Sequence, residues 1–193
     1  SIHSGTIYGI IGKNGAGKST LLKAISGILP ISSGSISLPG SISPIISMNA
    51  FTDGDLSVLE NIRFFANLRG YDKALKNQFE QNVLKFTNYE DEELIKPVKT
   101  FSHGMVSRLN IALGIFDDND IFLIDEALSV GDIELLNKAK NELTLLKEKG
   151  KIIILISHNL RIMESFCDTI GILENGKNSA SGEPSEIINN YRN

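Results

Sequence analysis

Residues 12 to 20 read Gly-Lys-Asn-Gly-Ala-Gly-Lys-Ser-Thr, and glycines at this spacing before a lysine and a hydroxyl are suited to holding phosphate. Gly12, Gly15 and Gly17 let backbone N–H groups turn inward without side chains in the way, with Lys13, Asn14 and Ala16 completing the loop. Lys18 is expected to reach the terminal phosphates of a nucleotide, and the Ser19 hydroxyl, followed by Thr20, to enter the shell of a magnesium ion. The apolar run Ile7 to Ile11 precedes the motif and Leu21 to Ile25 follows it. That context is strand, turn, helix, with the positive helix end aimed at the anion. A glycine turn that merely caps a helix is the plainer alternative, and the context argues against it.

Three further polar groups stand where such a site needs them. The apolar run Ile121 to Ile124 ends in Asp125 and Glu126. At the C-terminal edge of a parallel sheet, Asp125 is placed to hold magnesium and Glu126 to polarise an attacking water. Ile154 to Ile156 ends in Ser157 and His158, one strand–helix unit later, which brings the imidazole toward the terminal phosphate. Ser102 and Gly104, in Phe101-Ser102-His103-Gly104-Met105, open a periodic helix and offer a second anion-binding end. Taken alone, Ser102 is a capping serine, Asp-Glu a helix start, and a histidine after a strand a structural residue. With two phosphate-type helix ends in one chain, a nucleotide held between two copies would use both.

The elements that must position these groups follow an α/β pattern. Strands are expected at Thr6–Ile11, Ile36–Leu38, Ile42–Ile46, Ile121–Ile124, Lys151–Ile156 and Thr169–Leu173. The runs at 121–124 and 152–156 are fully apolar, as a parallel sheet buried on both faces requires. Helices are expected at about 18–26, 57–69, 74–86, 105–116, 132–149 and 185–191, with a capping box at Ser57 and Glu60. The acidic group 90–93 reads as a solvated helix start. Met105, Leu109, Ala112, Leu113 and Phe116 mark one helical stripe. The expected architecture is a single domain over 1–193: a P-loop NTPase core with a mostly parallel sheet and an inserted helical subdomain at about 56–116.

Composition bounds the function. A chain of 193 residues, 41% hydrophobic, buries a sizeable core. The net charge of −4 and scattered basic residues argue against a nucleic-acid surface. The single cysteine, Cys167, has no internal partner and is expected to be packing. No apolar stretch approaches the roughly 18 residues of a membrane span, and no signal peptide opens the chain, so any membrane role is expected to be peripheral.

The order of these motifs resembles the ATP-binding subunit of an ATP-binding-cassette (ABC) transporter along essentially the whole chain. The resemblance implies ATP and Mg2+ as ligands, ATP hydrolysis, and a head-to-tail homodimer. In it, Ser102 and Gly104 of one copy close on the γ-phosphate held by Lys18 of the other. It makes Glu126 the general base, His158 the γ-phosphate sensor and Asp132 a dimer-contacting aspartate. It also implies a separate integral-membrane permease and a place at the cytoplasmic face of the membrane, without direct insertion and without nucleic acid as a partner. Pro97 to Met105 with Ser107-Arg108-Leu109, Ile124 to Asp132, and Ser165 to Asp168 are closest to capsular polysaccharide exporters. Exporters of teichoic acid and of O-antigen are near relatives. A soluble ABC-type ATPase of DNA repair or translation and a non-hydrolysing regulator are the readings from other classes.

Departures from the family pattern carry expectations of their own. His103 and Met105 replace the usual glycine and glutamine of the signature, and the metal-contacting glutamine falls at about Met48, with Asn49 or a water as substitute. Eleven residues precede Gly12, so the family's first strands and adenine-stacking aromatic are expected to be absent, as in a fragment of a longer chain. Tyr8 is expected in the core, which predicts weak ATP binding and poor rejection of GTP. A groove at Met48–Phe65, with Phe51, Phe64 and Phe65, is expected to take a permease helix, unless these aromatics are simply core.

Overall fold

Two fully buried runs set the frame. In the computed structural model of the chain, residues 1–44, 46, 47, 50–128 and 132–192 are described. β2 (Ile121–Asp125) and β3 (Ile152–Ile156) lie side by side and parallel, and β1 (Thr6–Ile11) joins β3 in the same direction. β4 (Thr169–Glu174) pairs in parallel with β1, and β5 (Lys177–Gly182) closes the order β2-β3-β1-β4-β5 as an antiparallel hairpin partner. The register aligns Ile10 with Ile156 and Ile156 with Asp125. Three chain exits therefore leave one edge of the sheet together: the turn after β1, Asp125–Glu126, and Ser157–His158.

Alternation along the strands divides the core. Ile7, Ile11, Phe122, Ile124, Ile153 and Leu155 face the larger cluster, which α5 (His103–Ile115), α6 (Ile133–Glu148) and α7 (Leu160–Phe166) help to cover. Ile10, Leu123, Ile154 and Ile156 face Leu22 of α1 (Lys18–Ile25) on the other side. α6 is the crossover between β2 and β3 and ends before Gly150, whose φ of 80° suits only glycine well. α8 (Pro184–Arg192) packs back on β4. Cys167 is buried packing, and burial pushes its thiol up to about 12.

Between β1 and β2 the chain is largely helical from Val58 on. α2 (Val58–Leu68) begins in the expected capping box, Ser57 accepting from Glu60 N while the Glu60 carboxylate accepts from Ser57 N. α3 (Lys73–Thr87), the single turn α4 (Asp91–Leu94) and α5 follow. The stripe expected on α5 is wider than drawn: every residue from Leu109 to Ile115 is buried, so the second half of that helix is enclosed all round. Phe65 lies between Phe51 (5.3 Å, edge-on) and Phe79 (5.5 Å, stacked).

Three local expectations need correction. Ile36–Leu38 is not a strand; both end residues are exposed, and among the described residues no sheet partner faces them. The expected strand 42–46 is reduced to single parallel bridges, Ile42 with Ile121 and Ile46 with Ile124. Pro44 has no N–H to give the ladder, which interrupts it, and the Ser43 hydroxyl accepts from Leu123 N. Two elements were also unforeseen, α7 and β5. The aromatics of the expected groove separate: Phe65 is core, Phe51 is half-buried against it, and Phe64 is 51% exposed.

The start of β2 carries an acid-sensitive fastening. Asp120 accepts from Lys151 Nζ (3.0 Å), Ser41 N (2.9 Å) and the Ser41 hydroxyl, pinning the segment that leads to Ile42. The Lys151 ammonium first, and the Ser41 donors next, pull its carboxyl down from 3.8 to about 2. A depressed carboxyl contributes stability above its unfolded value, and that contribution is lost as pH falls through the folded one. Asp120→Asn should therefore melt below the parent at neutral pH, with the gap closing between about pH 4 and pH 2. Thermal melts of both chains across that range check this; a constant gap would exclude Asp120 as the titrating group.

Candidate functional site

The turn after β1 is held open by its own backbone. Gly15 and Gly17 take φ of 80° and 99°, and a Cβ on Gly12 would stand 2.3 Å from the Leu173 carbonyl oxygen of β4. Ala16 N donates to Lys13 O, and Gly176 N in the β4–β5 turn donates to Ala16 O. The loop is thus gripped from both sides before α1 begins at Lys18. Lys18 is 7% exposed, and its Nζ donates to Gly12 O at 2.7 Å and Lys13 O at 3.1 Å. Its charge lies at the floor of the loop, while Ser19 and Thr20 are exposed at the first turn of the helix.

A cavity of about 260 Å³ opens over this loop. One wall is Asn14, Gly15, Gly17, Lys18, Ser19 and Thr20; the other is Asp125, Glu126 and His158. The structure thereby gathers Lys18, Ser19, Asp125, Glu126 and His158 from three separate stretches of chain. A larger cavity of about 660 Å³ between α3 and α6 holds none of them. In the smaller one the phosphate loop, the Lys18 ammonium and the Asp125 and Glu126 carboxylates come together.

Glu126 has a geometry that sequence could not disclose. Its φ is 57°, a left-handed conformation costly for a non-glycine residue, fixed by Glu126 N donating to Ile156 O (3.0 Å). The carboxylate is turned to β3's exit: His158 N donates to Oε2 at 3.3 Å, and His158 Nε2 lies 3.3 Å from Oε1. The neighbouring strand thus fixes the direction in which this carboxylate leaves β2.

The donor set fits Mg2+ with a polyphosphate. The Ser19 hydroxyl and Asp125 carboxylate are hard oxygen donors on facing walls, and the phosphates bring further oxygens. Among the described residues, no three His, Cys, Asp or Glu side chains cluster to bind a metal by themselves. Met48 and Asn49, where the metal-contacting glutamine was expected, lie outside the described residues, as do Ser129, Val130 and Gly131.

Ser102 and Gly104 do not line this cavity. Ser102 caps α5 by accepting from Met105 N (3.3 Å), and the first turn, with His103 and Gly104, is exposed; a Cβ on Gly104 would find no atom nearer than 3.9 Å. Asp132 caps α6 through Glu134 N and Leu135 N, and pairs with Arg108 at 2.9 Å. Arg108 also donates to Thr87 O, joining α3, α5 and α6 at one guanidinium. Tyr8 is half-buried, its phenol hydrogen-bonded to Ser181 and Asn178, with burial pushing it up. Among the described residues, no helix is long and apolar enough to cross a membrane.

Comparison with known proteins adds to this geometry. The family model described as "ABC transporter" matches residues 1–129. The chain is 36% identical over 191 residues to the teichoic acids export ATP-binding protein TagH of Levilactobacillus brevis, covering 99% of this chain and 52% of that protein. It is 36% identical over 189 residues to the protein of the same name from Staphylococcus haemolyticus, covering 98% and 71%. The chain spans about half the length of several relatives it matches. Among solved structures, the ATP-binding subunit of an ABC transporter superposes with a TM-score of 0.84 at 26% identity, covering 98% of this chain and 83% of that one. A dimeric ATP-binding cassette in a post-hydrolysis state with ADP and Pi superposes at 0.81 and 20% identity, covering 95% and 88%, a likeness of fold alone. With its phosphate loop, its sheet order and these matches, the chain belongs to the ABC transporter family, as an ATP-binding domain.

Proposed function

We propose that the chain hydrolyses ATP to drive export of a cell-surface polysaccharide, of the teichoic-acid type, through a separate membrane permease. The observation that carries the ATPase reading is the single cavity joining Lys18 and Ser19 to Asp125, Glu126 and His158. The names of the relatives support teichoic acid, a near relative in the sequence reading, over the capsular export that the motifs favour. The place of action is the cytoplasmic face of the membrane, reached through the permease.

In the reaction, Lys18 shifts its Nζ hydrogen bonds from the Gly12 and Lys13 carbonyls to the terminal phosphate. Bound magnesium, held by Ser19 and Asp125, would neutralise charge on the phosphate oxygens. Glu126 takes a proton from the water that attacks the γ-phosphorus as the bond to the β-phosphate oxygen breaks. His158 orients that carboxylate through its own N–H. Ser102 and Gly104 act on the nucleotide of a second copy, a reading supported by their absence from the cavity lining and the exposure of their helix end.

Mixing two inactive chains tests this. Ser102→Arg blocks the closing end, and Lys18→Ala removes the phosphate contact, so each homodimer should be inactive. The mixed dimer keeps one intact site, and an equimolar mixture should recover up to about a quarter of parental activity. No recovery, with heterodimer confirmed by mass, would overturn the shared site. For permease attachment, Phe64 and Leu68 are an exposed apolar pair on α2 (51% and 70%), and charge substitutions there test docking.

A further inference from the structure

α5 carries Ser102 at its exposed end, and the helical row Ser102, Val106, Asn110, Gly114 runs from there into the core. Asn110 is 0% exposed. Its Oδ1 accepts from Phe51 N at 2.7 Å, and its Nδ2 donates to Thr52 Oγ1 at 3.1 Å and to Val106 O at 2.9 Å. One turn on, a Cβ at Gly114 would stand 2.5 Å from Ile46 Cγ1 and 3.0 Å from Phe51 Cε2, so the helix backbone lies directly on this segment. On its far side the segment is stitched to β2: Ile46 N donates to Leu123 O (2.8 Å), and Asp125 N donates to Ile46 O (2.9 Å). Contacts therefore run from α5 to Phe51 and to Ile46, and from Ile46 to the backbone of Asp125.

A buried amide is a costly way to fill space in a helix surrounded by apolar neighbours. Its hydrogen bonds are directional, however, and fix both the slide and the rotation of α5, which apolar contacts alone leave freer. We propose that Asn110 is a positioning residue, which sets the Ser102–Gly104 end of α5 relative to Asp125 by clamping the 51–52 backbone. The inference rests on the proposed function for its catalytic consequence, and on geometry alone for the clamp.

The test pairs a structural readout with a kinetic one. Nitroxide labels at His103→Cys and Lys177→Cys report the separation of the α5 end from the sheet, both sites being exposed and Cys167 buried. With Asn110 intact, the distance distribution should be narrow; Asn110→Ala should broaden it. In the unlabelled chain, Asn110→Ala should lower kcat about tenfold while ATP affinity, set by Lys18 and the phosphate loop, changes less than about threefold. Thr52→Val, at a half-buried position, removes one of the contacts and should move both readouts the same way by less, which keeps the test valid if Asn110→Ala folds poorly. An unchanged distance distribution overturns the clamp. A broadened one with parental kcat, or with kcat and affinity falling together, overturns the positioning role. A parent without ATPase activity whose distance still responds to Asn110→Ala retains the clamp and removes the proposed function instead.

Discussion

A Glu126→Gln chain is expected to bind ATP as the parent does and to hydrolyse it roughly 10²–10⁴-fold more slowly. The substitution is nearly isosteric, and glutamine tolerates the φ of 57° no worse than glutamate, so the turn after β2 keeps its shape. The amide still accepts the His158 N–H but has no basicity with which to take a proton from water. Lys18→Ala should do the reverse, weakening binding because the ammonium at the floor of the loop meets the phosphates before any chemistry. Calorimetric titration with Mg-ATP and a phosphate-release assay separate the two effects. Parental turnover in Glu126→Gln would remove Glu126 from the role of base.

Phe79→Ala should cost about 3–5 kcal/mol, the usual range for deleting a buried aromatic side chain. Phe79 is 2% exposed, stacked on Phe65 and met edge-on by Tyr71 at 5.6 Å. Tyr71 in turn donates to Asp117, which also accepts from Arg69 Nε at 2.8 Å, so the loss spreads to the loop before β2. At about 2–4 °C per kcal/mol for a chain of this size, the melting temperature should drop by roughly 6–20 °C. Phe79 does not line the nucleotide cavity, so ATP affinity per folded molecule should hold. A drop under about 2 °C would mean that Phe65 and Tyr71 collapse into the space.

The convergence of Lys18, Asp125, Glu126 and His158 was legible because each group follows an apolar run, and parallel strands deliver their C-terminal exits to one edge. The lack of a strand at 36–38 was not legible, because alternation there signals a strand whether or not a partner exists to pair with it. β5 has no apolar pattern, but Asn175-Gly176, both at positive φ, is a hairpin turn signal that marks it. α7 likewise follows Asn159, which caps it, with Ile162, Met163 and Phe166 at helical spacing. Asn110 carries no such mark, since its partners Phe51 and Thr52 lie almost sixty residues earlier. The strain at Glu126 was equally hidden, being imposed by the Ile156 carbonyl of a strand that comes later in the chain.

The grip of β4 and the β4–β5 turn on the phosphate loop makes the nucleotide a folding ligand for the β4–β5 hairpin as well. Gly12 lies against the Leu173 carbonyl, and Gly176 N holds Ala16 O, so melting that hairpin removes supports on which the loop's shape rests. Binding to the native form alone adds about 4 kcal/mol at a thousandfold excess over Kd. Saturating ATP should accordingly shield the exposed backbone of β5 from proteases, although no nucleotide atom need touch it.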